Sequence, residues 1–273
     1  MAPSATRRIR LCADDYGIAP GVNAAIRDLI ARGRLNATSV MVLAPSFARR
    51  EADALAQANA AGRAAIGLHV TLTAPFEPLT AGYRPRFRSI GATLGAALMR
   101  RLDPRALAAE IAAQFEAFTK TFGRAPDFVD GHQHVQLFPQ VREAFLATTA
   151  RLAPAAWVRQ GGSAAAPRLA DPKGLLIDWF SRSFRTRAAA AGIATNPAFA
   201  GTYSFETGAD FAAIFPRFLE GLPDGGLIMC HPGIVDDALI RLDPLTTHRE
   251  REYAFLGSDA FPAMLAAHGV ALA

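Results

Sequence analysis

The chain has 273 residues, of which 51% are hydrophobic and 19% are charged, and it contains 22 glycines and 18 prolines. This composition is typical of a globular protein and excludes a disordered, collagen-like or coiled-coil chain. A single domain of this length can bury about three quarters of the surface that its unfolded chain exposes. We therefore expect one domain, over residues 1–273.

Charge and cysteine content limit which cellular compartment and which binding partners we expect. The 29 basic and 24 acidic residues give a net charge of +5, and the arginines are scattered in pairs, which argues against a nucleic-acid partner. The two cysteines, Cys12 and Cys230, form no disulfide framework. No apolar run is long enough for a signal-peptide core or a membrane span. We expect a cytoplasmic protein without a transmembrane segment, and a homodimer stays open.

Short apolar runs alternate with amphipathic stretches along the chain, without an internal repeat. Strands are predicted over residues 9–13, 38–43, 65–71, 127–130, 156–159, 227–230 and 270–273. Helices are predicted over residues 22–32, 47–61, 104–122, 140–153, 175–191, 211–219 and 259–267. Residues 74–98 are typical of a long loop, and residues 192–208 show no assignable pattern. The alternation predicts an α/β fold, an irregular or incomplete (β/α) TIM-like barrel.

Four of the predicted strands end in residues that can bind a metal. Asp14 and Asp15 follow the first strand, His69 lies near the end of the third, and His132 and His231 follow two later strands. The carboxyl ends of parallel strands form one face, where catalytic side chains collect. Each motif alone also fits a structural role, such as an Asx turn or a hydrogen-bonded histidine. Their occurrence together on one rim favours a functional site.

One carboxylate and two imidazoles form a coherent site for a divalent metal with positions left for water and substrate. In an extended chain Asp14 and Asp15 point opposite ways, so one can bind metal while the other reaches the reacting water. His132 and His134 lie on one side if their strand continues, and only one of them needs to bind the metal. Asp130 shares that face and can orient an imidazole.

These motifs resemble the YdjC-like carbohydrate deacetylases, which include chitooligosaccharide deacetylase and a branch associated with hopanoid biosynthesis. The matching segments occur in family order and are ADDYG at residues 13–17, GLHVTLT at 67–73, DGHQHV at 130–135 and MCHPG at 229–233. Tyr16 stands where the family's ADDFG-type motif has Phe, and Gln136 where the family often has another histidine. The second difference implies an altered substrate preference with an unchanged set of metal ligands.

The resemblance implies an N-deacetylase of amino sugars on an irregular (β/α) barrel, and it assigns roles to individual residues. The implied metal ligands are Asp15, His69 and His132, the general base is Asp14, and the acid that protonates the leaving amine is His231. Contacts to the substrate or to these residues are expected from Tyr16, Asp130 and His134.

The expected cofactor is one divalent ion, with Zn or Mg favoured and Co, Ni or Mn as alternatives. Such an ion polarises the amide carbonyl and lowers the pKa of water, Asp14 accepts the water proton, and His231 protonates the departing nitrogen. The expected substrate is an N-acetylated amino sugar, oligosaccharide or glycolipid. The alternatives are another metal-dependent hydrolase on the same barrel, of phosphoesterase or amidohydrolase type, and a non-catalytic sugar-binding module.

Overall fold

The computed structural model describes residues 6–83, 86–164, 172–203 and 210–273, without the side chains of residues 172 and 173. Its strands are β1 (Arg7–Tyr16), β2 (Ala37–Val40), β3 (Ala65–Val70), β4 (Phe128–Gly131), β5 (Trp157–Val158), β6 (Phe199–Ala200), β7 (Leu227–Cys230) and β8 (Val270–Leu272). All strand pairs are parallel, in the order β5-β4-β3-β2-β1-β7-β6, with β8 paired to the start of β1. The strands surround a buried apolar core, and helices cover the outside.

The helices of the described chain lie between consecutive strands. They are α1 (Pro20–Ala31), α2 (Arg49–Ala58), α3 (Ile90–Leu98), α4 (Pro104–Phe122), α5 (Val141–Leu152), α6 (Pro172–Ala190), α7 (Phe211–Leu219), α8 (Asp237–Leu242), α9 (Thr247–Gly257) and α10 (Ala260–Ala267). Two short 3-10 helices cover Ala81–Tyr83 and His132–Leu137. None of these helices combines the length and the apolar character needed to cross a lipid bilayer.

The sequence signals were clearest for α4, and its predicted bounds are confirmed. The Asp103 carboxylate accepts hydrogen bonds from the backbone N–H of Arg105 and Ala106, and Pro104 occupies the first turn. Gly123 ends the helix in the left-handed conformation, with a φ of 70°. The bounds predicted for α7 and β7 are confirmed as well.

Three helices fall where no helix was predicted. The short α3 lies in the stretch predicted to be a loop, since its glycines weaken the helical pattern. Neither α8 nor α9 was predicted. The inner face of α9 carries Arg249 and Glu252, both fully buried, so the apolar period that marks a buried helix face is missing there.

The sheet curls until its two edges meet, which confirms the predicted irregular (β/α) barrel. Isolated parallel bridges join Val158 to Thr195 and Ser163 to Phe199. The Phe199 N–H also donates to the carbonyl of Gly162 at 3.0 Å. The expectation of a single domain over residues 1–273 stays a prediction.

A glycine sets the close packing of β3 against β4. A Cβ atom on Gly67 would lie 2.5 Å from Cζ of Phe128, so only glycine leaves room for that ring. The Phe128 ring in turn stacks on Trp157 of β5 at 4.5 Å. This packing accompanies a register in which His69 of β3 lies opposite Asp130 of β4.

Candidate metal centre

A cavity of about 500 Å³ opens at the carboxyl ends of the strands. The predicted residues that line it are Asp14, Asp15, His69, His132, His134 and His231. Its other walls come from segments that precede and follow these motifs, including Ala74, Pro75, Ile90, Arg159, Met229 and the stretch from Leu242 to His248. Residues that lie more than 200 positions apart in the chain therefore meet in one cavity, as the strand-end argument predicted.

Three side chains form a compact triangle of donor atoms. Oδ1 of Asp15 lies 3.1 Å from Nδ1 of His132 and 3.4 Å from Nε2 of His69. Metal bonds of about 2.0–2.1 Å in a tetrahedral site place neighbouring ligand atoms about 3.3 Å apart. The two distances from Asp15 match this spacing, the donor atoms of the three residues lie within 4.8 Å of one another, and all three residues are buried.

His69 is oriented from behind by its neighbours on the sheet. Its Nδ1 lies 2.5 Å from Oδ1 of Asp130 and 3.0 Å from Oγ of Ser39. A carboxylate can only accept, so this contact places a proton on Nδ1, and in the neutral ring that a metal binds the lone pair is on Nε2, which faces Asp15. Burial lowers the pKa of His69, but Asp130 and then Asp14 raise it to about 10. The same negative surroundings favour a metal cation at Nε2.

The backbone turns sharply at Asp15, where φ is 69° in the left-handed region. Aspartate tolerates this conformation better than most residues. Oδ2 of Asp15 accepts a hydrogen bond from Nη2 of Arg249 at 2.6 Å, which leaves Oδ1 for the two histidines. Burial raises the pKa of Asp15, but Arg249, His132 and His69 together lower it further, so the pKa lies well below its usual range. The carboxylate is therefore ionised, as a metal ligand must be.

Asp14 is held by both of its oxygens. Arg159 donates from Nη1 to Oδ1 at 2.7 Å and from Nη2 to Oδ2 at 2.8 Å, a bidentate pair. Nη1 of the same guanidinium lies 3.2 Å from Oδ2 of Asp130. Burial raises the pKa of Asp14, but Arg159 and then His69 lower it to about 2. Asp14 is therefore ionised while it lines the cavity.

The buried ion pairs around the cavity carry unequal charge. Four carboxylates share two guanidinium groups, which leaves an excess of two negative charges among these described residues when the His69 ring is neutral, as a metal ligand must be. The members are Asp14, Asp15, Asp130 and Asp243 with Arg159 and Arg249. Uncompensated charge is costly inside a protein. One divalent cation at the donor triangle neutralises this excess, so charge and geometry both fit a metal.

His231 follows β7 on the opposite side of the cavity from the histidines of β3 and β4. Its backbone N–H donates to Oε2 of Glu252 at 2.5 Å, and the Tyr203 hydroxyl donates to Oε1 of the same carboxylate at 2.7 Å. Burial lowers the pKa of His231 to about 4. The ordinary histidine pKa, on which its proposed acid role was based, therefore does not apply in this arrangement.

The strand that carries His132 does not continue through His134, so the period-two arrangement does not form. β4 ends at Gly131, and Gln133 and His134 adopt left-handed conformations with φ of 55° and 59°. Both histidines still line the cavity. His132 joins the donor triangle, whereas the His134 ring packs edge-on against Phe199 at 5.5 Å.

Two of the family-pattern positions lie outside the cavity lining. Tyr16 is fully buried, and its hydroxyl donates to the carbonyl of Glu51 at 2.7 Å and accepts from Arg27 at 3.0 Å. Gln136 is also buried, and its Nε2 donates to the carbonyl of Arg159 at 3.2 Å. These contacts give both residues a packing role, with Gln136 behind the segment that presents Arg159.

Sequence reasoning missed the arginines of the site and the wall near α8 and α9. Arg159 ends a predicted strand, but it was not predicted as a site residue because arginine is not a metal ligand. Asp243 and His248 line the cavity next to the undetected α9, and Arg249 lies behind them. A search for charged residues at the end of every predicted strand would have found Arg159, whereas no periodicity marks Arg249.

Comparison with known proteins places the chain among its relatives. The model of the YdjC-like protein family matches residues 8–267. A chitooligosaccharide deacetylase of Yersinia pestis is 34% identical over 134 residues, which are 47% of this chain and 50% of that protein. The chain thus aligns with only about half the length of this curated relative.

Two solved structures share the fold. A candidate cellobiose-phosphate cleavage protein from Enterococcus faecalis superposes with a TM-score of 0.74 at 20% identity, covering 98% of this chain and 97% of the other. A CE4 esterase from Streptococcus mutans gives a TM-score of 0.51 at 12% identity, covering 98% and 86%. At these identities the likeness concerns the fold alone. The family match, in contrast, spans nearly the whole sequence, and the chain therefore belongs to the YdjC-like family.

Proposed function

We propose that this protein is a metal-dependent hydrolase that removes the acetyl group from an N-acetylated amino sugar, oligosaccharide or glycolipid. The observation that carries the proposal is the donor triangle of Asp15, His69 and His132 in a cavity that Asp14 and His231 also line. Amide hydrolysis needs an electrophile for the carbonyl, a base for the water and an acid for the leaving nitrogen. The cavity offers one candidate for each need.

Asp15, His69 and His132 would hold the ion, each through one donor atom. When bound, a divalent ion supplies Lewis-acid polarisation of the acetyl carbonyl and lowers the pKa of the attacking water. Asp130 keeps the His69 ring in the tautomer that presents Nε2. Three protein ligands would leave positions of the ion for substrate and water.

Asp14 is the proposed base. Its two hydrogen bonds from Arg159 use only part of the lone-pair capacity of the carboxylate, so an oxygen can still accept a proton from water. The paired guanidinium also keeps the carboxylate ionised and fixes its direction. Arg159 thereby positions the base and joins it to Asp130 behind the metal ligand His69.

His231 is the proposed acid, and because burial lowers its pKa to about 4 in the free protein, it would gain its proton within the substrate complex. Collapse of the tetrahedral adduct breaks the carbon–nitrogen bond, and the departing nitrogen must take up a proton. The Glu252 carboxylate accepts the backbone N–H of His231 and thus fixes the segment that carries the imidazole. The names of relatives support the same reaction class, since the Yersinia pestis protein is named for deacetylation of chitooligosaccharides.

Acetate release tests the proposal directly. Metal-stripped protein would be reconstituted separately with Zn, Mg, Co, Ni and Mn and assayed on N-acetylated monosaccharides, chitooligosaccharides and N-acetylated glycolipids. We expect acetate and a free amine with at least one metal, and no product after chelation. Phosphate release from simple phosphoesters without acetate release would indicate the phosphoesterase alternative. Sugar binding without turnover under every metal condition would indicate a binding module and overturn the proposal.

A further inference from the structure

Within the described part of the chain, Arg249 is a fully buried side chain of α9 that contacts the donor triangle. Its side chain is 0% exposed. Nη2 lies 2.6 Å from Oδ2 of Asp15 and also 2.6 Å from Oδ2 of Asp243. Nε donates to the carbonyl of Leu245 at 3.0 Å, and the backbone carbonyl of Arg249 accepts the N–H of Gly233 at 3.0 Å. One residue thus connects a metal-ligand candidate to two segments of the cavity rim.

A single nitrogen makes both charged contacts. Nη2 bridges Asp15 and Asp243, while Nη1 is buried and has no hydrogen-bond partner among the described residues. A guanidinium that served only to neutralise charge would be expected to use its fork in bidentate pairs, as Arg159 does on Asp14. The geometry at Arg249 instead fixes the position of one oxygen of each carboxylate.

The contact with Arg249 determines which oxygen of Asp15 can face a metal ion. With Oδ2 bound to Arg249, only Oδ1 faces His69 and His132. A free carboxylate could rotate and bind an ion through both oxygens, which would raise the coordination number. Zinc-type sites with three protein ligands function with few ligand atoms and open positions. The number of Asp15 oxygens that bind the ion therefore determines how many coordination positions of the ion stay open.

We propose that Arg249 is a positioning residue that restricts Asp15 to binding the metal through one oxygen and ties that ligand to the Asp243 wall of the cavity. The inference rests on the proposed function in taking Asp15 as a metal ligand. It adds that Arg249 of α9 determines how many coordination positions of the ion remain for water and substrate.

Cobalt binding to the whole 273-residue chain provides the test. Co²⁺ would be titrated into metal-stripped wild-type protein and into Arg249→Met, Arg249→Gln and Arg249→Lys, with its affinity measured by chelator competition. The visible absorption of Co²⁺ reports coordination number, because four-coordinate sites absorb far more strongly than six-coordinate ones. Arg27→Met is the matched control, since Arg27 pairs with Glu51 and contacts Tyr16 away from the cavity. Circular dichroism establishes that each variant is folded.

The neutral variants should bind Co²⁺ roughly 10–100-fold more weakly, the range typical for loss of a partner that orients a ligand. Their Co²⁺ absorption should also weaken, because Asp15 becomes free to bind through both oxygens. Arg249→Lys should recover most of the affinity and the absorption, since one ammonium nitrogen can take the place of Nη2 between the two carboxylates. Arg27→Met should match the wild type in both measurements.

Two further results separate this inference from the proposed function. A folded neutral variant at Arg249 with wild-type affinity and absorption would overturn the inference. Asp15→Asn, titrated in parallel, tests the ligand itself, and wild-type Co²⁺ binding there would overturn the proposed metal site. If Arg249→Met does not fold, Arg249→Gln and Arg249→Lys decide, because the two differ in charge: equal Co²⁺ affinity in both would also overturn the inference.

Discussion

The two sides of the cavity are built in different ways. On the strand side, residues 14–15, 69, 130–132 and 159, the polar groups lie in or just after the carboxyl ends of parallel strands and contact one another at short distances. On the helical side, residues 231–252, buried charged residues of α9 reach forward to Asp15 and to the backbone of His231. Strand register fixes the first set, whereas the position of one helix fixes the second. Substitutions on the strand side should therefore remove the metal or the chemistry, and those on the helical side should shift geometry and proton balance.

The largest effect is expected for His69→Ala. This change removes one corner of the donor triangle and leaves Asp130 and Arg159 buried without the imidazole between them and Asp15. We expect loss of stoichiometric metal and a fall of deacetylation to background, measured by elemental analysis and acetate release. His268→Ala, at an exposed position in contact with Met264, is the control and should keep wild-type metal content. Normal metal content in His69→Ala would contradict the assignment of this ligand.

The second-largest effect is expected for Asp14→Asn. The substitution keeps the shape of the side chain but removes its basicity, so kcat should fall by roughly 10²–10⁴-fold while metal content stays near that of the wild type. It also leaves the buried Arg159 with Asp130 as its remaining carboxylate, and loss of a buried pair costs about 3–5 kcal/mol. Thermal unfolding would be recorded alongside kcat, with Asp28→Asn as a control remote from the cavity. Full activity of Asp14→Asn on its best substrate would refute the base assignment.

The contrast between the two sides also explains what the sequence could reveal. The candidate ligands on the strand side were predictable because apolar runs mark parallel strands and the polar residues at their ends are easily recognised. The conformation of the residues around His134 was not, since left-handed backbone at Gln133 and His134 leaves no apolar pattern. The helical side could not be predicted for a different reason. Arg249 and Glu252 of α9 face inward, so this buried helix has the composition of a solvent-exposed one.

The His231→Ala variant tests the proposed acid independently of metal binding. Hydrolysis of an N-acetyl sugar should slow by roughly 100-fold or more, because the amine leaves poorly without a proton. Hydrolysis of 4-nitrophenyl acetate should slow by less than tenfold, because its leaving group departs as an anion. The measurement is kcat/KM for both substrates in the wild type and the variant, with metal content determined in each. Equal losses on the amide and the ester would mean that His231 does something other than protonate the amine.

The smallest effect concerns stability and comes from Glu252. Burial raises the pKa of Glu252 from 4.5 to about 7, although Tyr203, the His231 backbone N–H and Arg249 each lower it in part. A carboxyl group with a raised folded-state pKa binds its proton more readily in the folded protein than in the unfolded chain. Its contribution to stability is therefore complete below about pH 4.5 and is lost as the pH rises through about 7. At about 1.4 kcal/mol per pKa unit, the contribution amounts to about 3 kcal/mol.

Glu252→Gln removes this titration, since an amide stays neutral at every pH. The variant carries a constant cost, because Tyr203 and the His231 backbone donate to different oxygens of Glu252, and one of these donors would face the amide NH2 group of Gln. The free energy of unfolding of the wild type, relative to the variant, should thus fall by up to about 3 kcal/mol between pH 4 and pH 8. Urea unfolding of metal-stripped protein across this range measures the difference, and Glu116→Gln, on the exposed face of α4, serves as the surface control. A pH-independent difference between the wild type and Glu252→Gln would mean that the helical side holds His231 without a titrating carboxyl group.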